Sequence, residues 1–302
     1  MTAVVALGGN ALTRPGERGT AAEQRANLRA ACAALPPLLE DPELVITHGN
    51  GPQVGNELLR HERAADEAPP LPLYLAVAQT QAEIGALIES ELEPVAGRPV
   101  ACLITHVCVS EDDPAFDEPT KPVGPFYDEA HALELERERG WKVVHDAGRG
   151  WRRVVPSPAP LEVIELAAVR ALLSSGAIAV ACGGGGIPVA RRNERLTGVD
   201  AVIDKDRASA LLARELSADR LVILTDVAAV YRHFGTARQE ELRELGADEA
   251  EALLPELAAG SIGPKVEACA EYVRATGHEA LITSAAALGA ALAGAAGTRI
   301  HA

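Results

Sequence analysis

Short apolar runs that end in glycine-rich turns recur along this chain, with helical stretches between them. Three of them are Thr2–Leu7 before Gly8-Gly9-Asn10, Leu44–Thr47 before Gly49-Asn50-Gly51, and Ala177–Cys182 before Gly183–Gly186. Runs of this length fit strands that are buried on both faces, whereas a period of about 3.6 residues is typical of helices. The alternation predicts an α/β fold, a three-layer αβα sandwich with a mainly parallel central sheet.

The remaining predicted elements continue this alternation to the end of the chain. Neither an internal repeat nor a low-complexity linker divides it, so we expect a single domain over residues 1–302. The predicted helices are Glu23–Leu39, Leu73–Leu92, Pro160–Leu173, Asp204–Leu216 and Gly263–Ala275, and the further strands are Val100–Val109, Arg220–Thr225 and Glu279–Thr283.

One segment, Glu111–Val155, interrupts the alternation with charges, prolines and turns. It contains five of the nine aromatic residues of the chain, which is enough for a small core of its own. A structureless surface loop is the alternative, but loops of this length are uncommon without a function. We therefore expect a subdomain at about residues 111–155 that protrudes from the sheet.

Charge and composition exclude several classes of partner. The chain has 28 Lys and Arg against 43 Asp and Glu, a net charge of −15, and aromatic residues make up only 3%. An excess of negative charge argues against binding to nucleic acid or to an anionic membrane, and few aromatics argue against stacking on bases. The five cysteines form no C-x-x-C pair, and neither a signal peptide nor a membrane span is evident. These features predict a cytoplasmic protein with reduced thiols.

The glycine turns indicate an anion site. Strands of a parallel sheet end at one edge, where glycines let backbone N–H groups approach a ligand and the next helix adds positive potential. Glycine also ends strands for steric reasons alone, but three turns at equivalent positions favour a phosphate or carboxylate site. The chain has no P-loop motif, and Pro188 stands where a Rossmann motif requires its third glycine.

Three lysines lie in unusual local settings. Lys121 stands between two prolines, while Lys205 and Lys265 stand at the starts of predicted helices, where the helix dipole disfavours a cation. Each of them alone could be a solvated surface lysine. Together they favour a polyanionic ligand and phosphoryl transfer, which requires cations and N–H groups more than covalent chemistry.

Nucleophile and metal motifs give no competing interpretation. The sequence has no G-x-S-x-G motif and no His and Cys pair with zinc spacing. No carboxylate is placed by sequence to orient His48, so we interpret it as a structural or ligand-positioning residue rather than a general base.

Eight segments, in order, resemble carbamate kinases, a branch of the amino-acid kinase superfamily, over essentially the whole chain. They are Ala6–Leu12, Thr47–Asn56, Asp113–Phe116, Pro119–Phe126, Val154–Pro158, Ala181–Val189, Gly198–Asp206 and Gly260–Glu267. The resemblance implies a homodimer and a reaction that interconverts ATP plus carbamate with ADP plus carbamoyl phosphate, with Mg²⁺, in arginine metabolism. It also implies that residues up to about 205 bind carbamate and the phosphoryl group, and that residues from about 206 bind the nucleotide.

The resemblance also implies roles for individual residues. Lys121, Lys205, Asp206 and Lys265 would be catalytic: the lysines would bind the phosphoryl oxygens and the leaving bridge, and Asp206 would orient the lysines. The residues that would hold carbamate and the transferring group are Gly8, Gly9, Asn10, Gly49, Asn50, Gly51, Gly184 and Gly185. Those near the nucleotide would be Thr225, Asp226, Val227, Tyr231, Ser261, Gly263, Pro264 and Lys265. No residue is expected to be a dedicated metal ligand.

The Pro-Thr-Lys-Pro turn around Lys121 separates this branch from related kinases, many of which have a lysine just before the first Gly-Gly. This chain has Val5-Ala6-Leu7 there. Departures from the family pattern are modest; the one nearest the nucleotide is Ile262, where methionine is usual. Two alternatives remain at this point: a kinase of another small carboxylate or phosphate, and a nucleotide sensor without activity.

Overall fold

A sheet of mainly parallel strands with helices on both faces forms the centre of the molecule. The computed structural model describes residues 1–14, 16–145, 150–257 and 262–302, and of Asn10 only the backbone. The strands within these ranges are β1 (Thr2–Leu7), β2 (Glu43–His48), β3 (Val100–Cys102), β4 (His106–Cys108), β5 (Lys121–Tyr127), β6 (Lys142–His145), β7 (Trp151–Val155), β8 (Glu162–Val163), β9 (Ile178–Val180), β10 (Ile187–Arg192), β11 (Arg195–Gly198), β12 (Arg220–Thr225), β13 (Val230–Arg232), β14 (Glu240–Leu242), β15 (Glu244–Gly246), β16 (Glu279–Ser284) and β17 (Thr298–His301).

The helices that begin at Gly51, Glu129 and Ala247 start within three residues of the end of a strand. None of the helices in the described ranges combines the length and the apolar character that a membrane span needs. The helices are α1 (Ala21–Cys32), α2 (Pro36–Leu39), α3 (Gly51–Arg63), α4 (Leu73–Ala96), α5 (Glu129–Arg139), α6 (Leu166–Ser174), α7 (Lys205–Leu216), α8 (Ala247–Leu253), α9 (Gly263–Thr276) and α10 (Leu288–Leu292).

Three predicted elements differ from the structure. The predicted helix Glu23–Leu39 is two helices, because Pro36 and Pro37 lack the N–H groups that would continue α1. The predicted strand Val100–Val109 is wrong as one unit, since β3 and β4 belong to different sheets. The helix predicted from Pro160 begins only at Leu166, because the residues before it form β8.

The main sheet has the order β15-β17-β16-β12-β1-β2-β9-β3, and within the described residues only β16 and β17 pair antiparallel. Strand β1 lies between β2 and β12 and is parallel to both. The turns that follow β1 and β2 are therefore neighbours in space, as Leu7 pairs with His48. This register brings two of the three glycine turns together at one edge of the sheet.

Alternate residues of β1 pack into two separate cores, one on each face of the sheet. Val4 and Ala6 pack with residues of α7 and α9, whereas Val5 and Leu7 pack with residues of α1 and α4. All four side chains have no exposed surface, as expected for a strand covered by helices on both sides. The predicted three-layer αβα sandwich with a mainly parallel sheet is confirmed.

The segment with the aromatic residues forms a separate antiparallel sheet of order β5-β7-β6, which packs against α3. A side chain at Gly55 of α3 would lie 2.0 Å from the backbone of Gly124, so the two elements touch through glycine. Val54, Val123 and Val155 are buried in this contact. The extent of a subdomain over residues 111–155 stays a prediction, but its β-sheet is held directly over the start of α3.

Candidate active site

A cavity of about 150 Å³ opens at the edge of the sheet where β1 and β2 end. Its walls come from the turns after these strands, from the starts of α3, α7 and α9, and from the first residue of β5. The residues that line it are Gly9, Leu12, Gly49, Asn50, Gly51, Pro52, Gln53, Lys121, Gly184, Val202, Ile203, Asp204, Lys205, Asp206, Pro264 and Lys265.

The turns that line the cavity are packed so closely that two positions require glycine. Gly184 has a φ of 66°, and a side chain there would lie 2.3 Å from the amide nitrogen of Asn50. That nitrogen, Nδ2, donates a hydrogen bond to Thr80 Oγ1 at 2.9 Å, which holds Asn50 in place. At Gly8, a Cβ would lie 2.6 Å from the carbonyl oxygen of Leu224. The close packing fixes the backbone around the site before any ligand binds.

Helix α7 places two site residues in its first turn. Its N-cap is Asp204, whose Oδ1 accepts hydrogen bonds from the backbone N–H groups of Asp206 and Arg207. Lys205 and Asp206 follow immediately and form an ion pair with each other, and both are buried. The cap offsets part of the positive end of the helix, where a lysine is otherwise unfavourable.

Asp206 holds two lysines at once. One carboxylate oxygen pairs with Lys205, and the other accepts a hydrogen bond from Lys265 Nζ at 3.1 Å. The Asp206 side chain is only 3% exposed, so this bridge between α7 and α9 is shielded from water. The structure thus places the two lysines that start these helices on one carboxylate beside the cavity.

Lys121 reaches the cavity from a different direction. As the first residue of β5, it crosses to α7 and forms an ion pair with Asp204. Asp204 thus has two roles, as the cap of α7 and as the partner of Lys121, and the second was not predicted from the sequence. Its position beside two buried charges in Asp-Lys-Asp was the available signal, but the lysine lies 83 residues earlier in the chain.

Burial and mutual attraction shift the pKa values of these groups in different directions. Burial lowers the pKa of Lys205, and the attraction of Asp206 does not fully offset it. Burial acts the same way on Lys265, but Asp206 and Asp204 outweigh it, so its pKa is raised. For Asp204, burial favours the neutral acid, yet Lys121 and the other lysines hold its pKa below the ordinary range. Lys265 and Asp204 therefore stay charged at neutral pH.

His48 lies behind the cavity as the last residue of β2. Burial lowers its pKa to about 4, so the ring is neutral at physiological pH. Its Nδ1 lies 3.0 Å from the carbonyl oxygen of Gly49, which can only accept, so Nδ1 carries the proton and donates. A histidine in this state supports the turn, as its interpretation as a structural or positioning residue anticipates.

Most predicted site residues come together at this one cavity. Those that line it are Lys121, Lys205, Asp206, Lys265, Gly9, Gly49, Asn50, Gly51, Gly184 and Pro264. Gly185 and Gly263 are next to lining residues in the chain. The side chain of Asn10 and all of Ser261 lie outside the part of the chain that the structure describes. What these residues do in the reaction stays a prediction.

The other residues predicted near the nucleotide lie farther along the same edge. Thr225 ends β12, and its hydroxyl donates to Asp226 at 3.0 Å. Together with Gly8 it lines a second cavity, of about 320 Å³, on the α1 side of the sheet. Tyr231 stands on β13 and its ring lies 5.8 Å from that of Phe234. Neither these residues nor Val227 line the first cavity, as far as the described residues define it.

The two carboxylates that line the first cavity, Asp204 and Asp206, are both paired with lysines. The amides of Asn50 and Gln53 supply the other side-chain oxygens among the lining residues. Within the described ranges, no group of three or more His, Cys, Asp or Glu side chains is arranged to hold a metal ion. Mg²⁺ requires few protein ligands when it is bound through phosphates. The donor set therefore fits a metal that arrives with a nucleotide better than one held by the protein alone.

Comparison with known proteins places this geometry in context. Residues 1–284 match the family model described as the amino acid kinase family. A carbamate kinase of Halobacterium salinarum is 47% identical over 98% of this chain and 97% of its own length. The solved structure of Giardia lamblia carbamate kinase bound to citric acid is similar, with a TM-score of 0.93 at 40% identity, covering 99% of this chain and 98% of that one. The same enzyme bound to AMP-PNP has a TM-score of 0.89 at 40% identity and the same coverage.

Proposed function

The chain belongs to the amino acid kinase family, and on this premise we propose that it is a carbamate kinase. In one direction it transfers a phosphoryl group from ATP to carbamate, which gives ADP and carbamoyl phosphate. In the other direction, ADP and carbamoyl phosphate form ATP and carbamate. The full-length similarity to several carbamate kinases, at 42–47% identity for four of them, supports this activity.

The observation that carries the proposal is the convergence of Lys121, Lys205 and Lys265 on one small cavity. A space of about 150 Å³ suits an acceptor as small as carbamate beside a phosphoryl group. Three cations beside backbone N–H groups are the parts that phosphoryl transfer requires.

We propose the following division of work between these residues. A carbamate oxygen, already anionic, attacks the γ-phosphorus, and the bond from that phosphorus to the β–γ bridge oxygen breaks, which releases ADP. No general base is required, consistent with a neutral and buried His48. Lys205 and Lys265 neutralise charge on the transferring group and the bridge, while Lys121 faces the acceptor.

Asp206 acts through the two lysines rather than on substrate. Both of its oxygens are engaged, one by each lysine, so it fixes the distance between their charges. The lysines are thereby ordered before the reaction, and no reorganisation of the protein is needed when charge develops. The backbone of Gly9, Gly49 and Gly51 lies on the same cavity and supplies N–H groups for oxygens.

Mg²⁺ fits this proposal as part of the nucleotide. Asp204 and Asp206, the carboxylates that line the cavity, are the charged protein groups that would lie near the ion, and the phosphates would supply most of its ligands. When bound, the ion neutralises phosphate charge. The adenosine would extend from Lys265 toward Thr225, Asp226, Val227 and Tyr231, with Ser261, Gly263 and Pro264 beside the phosphates.

We also propose that the protein is a homodimer and that it is located in the cytoplasm. The homodimer rests on the resemblance to carbamate kinases, and the location rests on the free cysteines.

Formation of ATP from ADP and carbamoyl phosphate in the presence of Mg²⁺ is the direct test. We expect turnover with carbamoyl phosphate and none in parallel assays that supply acetylglutamate or uridylate with ATP. Measurable ADP binding without any ATP formation would instead indicate a nucleotide sensor. Activity on acetylglutamate or uridylate alone would indicate a different kinase on the same scaffold.

A further inference from the structure

Two hydroxyl groups are buried between β2 and α7, in the core on that face of the main sheet. Thr47 stands near the end of β2 and Ser209 in the second turn of α7, and neither has any exposed surface. The core around them is apolar and includes Val45, on the same face of β2, and Leu212 of α7. Valine and alanine would fill these two positions without the cost of burying a hydroxyl. Packing alone therefore does not account for the pair.

The hydrogen bonds of the two hydroxyls have a fixed direction. Ser209 Oγ lies 2.6 Å from the backbone carbonyl oxygen of Lys205, which can only accept, so Ser209 donates its one proton there. Thr47 Oγ1 lies 2.6 Å from Ser209 Oγ, so Thr47 is the donor in this second hydrogen bond. A chain of hydrogen bonds thus runs from β2 through Ser209 to the peptide group of Lys205.

The glycine turn after β2 also contacts the side chain of Lys205. Gly49 follows Thr47 by two residues, and a Cβ at Gly49 would lie 3.3 Å from Cδ of Lys205. The stem of the lysine therefore passes close over the turn, while its Nζ is paired with Asp206. Two of these three contacts, at the backbone and at the stem, come from β2 and its turn.

The distance between Lys205 and this turn matters for the proposed reaction. The turn is proposed to hold the acceptor, and Lys205 is proposed to bind the transferring phosphoryl group. Reacting atoms must approach to about 3–3.5 Å, and a displacement of about 1 Å can lower the rate on the order of 100-fold. Apolar packing has no direction, whereas a hydrogen bond restricts both distance and angle.

We propose that Thr47 and Ser209 are positioning residues, whose hydrogen bond fixes Lys205 at the distance from the glycine turn that phosphoryl transfer requires. The proposal rests on the carbamate kinase function proposed above. Neither residue lines the active-site cavity, so both act through Lys205 and not on substrate. Loss of the hydrogen bond should therefore lower kcat and leave the affinity for ADP nearly unchanged.

The test removes each hydroxyl in turn. For Thr47→Val, Ser209→Ala and the double variant, kcat is measured as ATP formation from saturating ADP and carbamoyl phosphate, and the Kd for ADP by calorimetry. We expect each single variant to lower kcat about tenfold, with a Kd for ADP within about twofold of wild type. The double variant should also lose only about tenfold, because the two hydroxyls form one link.

Two further variants separate positioning from general stability. Thr47→Ser keeps the hydroxyl and should keep kcat within about threefold of wild type. Tyr272→Phe is the matched control, since the buried hydroxyl of Tyr272 donates to the carbonyl oxygen of Ala218, at 2.5 Å, just beyond the other end of α7. It should lower the Tm, as Thr47→Val does, but leave kcat unchanged.

The possible outcomes are distinct. The inference is wrong if Thr47→Val and Ser209→Ala keep kcat within about twofold of wild type, or if their losses multiply in the double variant. It is also wrong if Thr47→Ser or Tyr272→Phe slows turnover as much as Thr47→Val. Should Thr47→Val fail to fold, Ser209→Ala decides in the same way.

These outcomes leave the carbamate kinase activity of the unsubstituted enzyme intact. If the unsubstituted enzyme itself forms no ATP from ADP and carbamoyl phosphate, the proposed function is wrong and this inference is wrong with it.

Discussion

The cations of the active site come from two regions that hold them in different ways. Lys205 and Lys265 begin helices that pack on the main sheet, and they share Asp206, whose side chain is 3% exposed. Lys121 comes from the small β5-β7-β6 sheet, and its ion pair with Asp204 is more open, with side chains 27% and 15% exposed. The first pair belongs to the core of the enzyme, whereas the third cation is brought in by a separate layer.

This difference suggests a division of roles between the lysines, with one group acting on the nucleotide and the other on the acceptor. The core pair lies where ADP is proposed to leave, and we therefore expect it to be needed for turnover whatever the acceptor. Lys121 lies against α3 and the glycine turns, where the acceptor is proposed to bind. Loss of the core cations should therefore impair all phosphoryl transfer, and loss of Lys121 should impair the use of carbamoyl phosphate more than nucleotide binding.

The largest effect is expected from the core pair. Lys205→Ala, or Lys265→Ala, removes a cation from the transferring group and should lower kcat by about 100-fold or more. The assay is ATP formation from saturating ADP and carbamoyl phosphate, with circular dichroism as the control for folding. Rates within a few-fold of wild type in both variants would overturn the assignment of these lysines.

The second largest effect is expected from Asp206, the carboxylate between Lys205 and Lys265. Asp206→Asn keeps the shape but loses the charge, and we expect kcat to fall roughly 10- to 100-fold because the two lysines then repel each other. Since Asp206 raises the pKa of Lys265, the alkaline limb of the pH profile should also move to lower pH. A lower rate with an unchanged alkaline limb would contradict the role of Asp206 in keeping Lys265 protonated.

A smaller and more selective effect is expected from the outer cation. Lys121→Ala should lower kcat/KM for carbamoyl phosphate about tenfold, while the Kd for ADP, measured by calorimetry, changes less than about twofold. Lys142→Ala is the matched control, since Lys142 stands in the same small sheet but donates to the carbonyl of Asp117 at 2.7 Å, away from the cavity. Equal losses in ADP affinity and in turnover would remove the distinction between the two regions.

The smallest effect concerns stability. The lysines hold the pKa of Asp204 below its unfolded value, so its stabilising effect is present above about pH 4 and is lost as pH falls through the folded pKa. Asp204→Asn keeps a good helix cap but removes this charge, and should cost about 1 kcal/mol at pH 7 and less near pH 3. Urea unfolding at both pH values measures this, and a cost that does not change with pH would contradict it.

The sequence predicts the main sheet well because its strands are buried on both faces. Runs such as Thr2–Leu7 and Arg220–Thr225 have no polar side to confuse their interpretation, and their bounds agree with β1 and β12. Strand β3 and strand β4 form one apolar stretch in the sequence, and hydropathy does not show that it changes sheets at residues 103–105. The break between α1 and α2 was predictable from Pro36 and Pro37, but the helical period alone continues through them.

For the site too, the sequence predicts what depends on neighbouring residues and does not predict contacts between distant ones. Lys205 was singled out because a lysine at a helix start is unusual by itself, whereas the role of Asp206 came only from the resemblance to carbamate kinases. The pairing of Lys121 with Asp204 joins residues 83 positions apart, and the hydrogen bond from Gln53 to Gln24 joins α3 to α1. No pattern along the chain encodes such contacts, because the fold alone sets the distances between them.

The shared carboxylates also have a consequence for how long products stay bound. Three lysines meet two aspartates around the cavity, so the site carries one net positive charge within a chain of −15. A cluster with all three cations unopposed would retain a polyphosphate strongly. Since most of that charge is balanced internally, we expect the site to hold ADP or ATP less tightly and to release the nucleotide more readily between cycles.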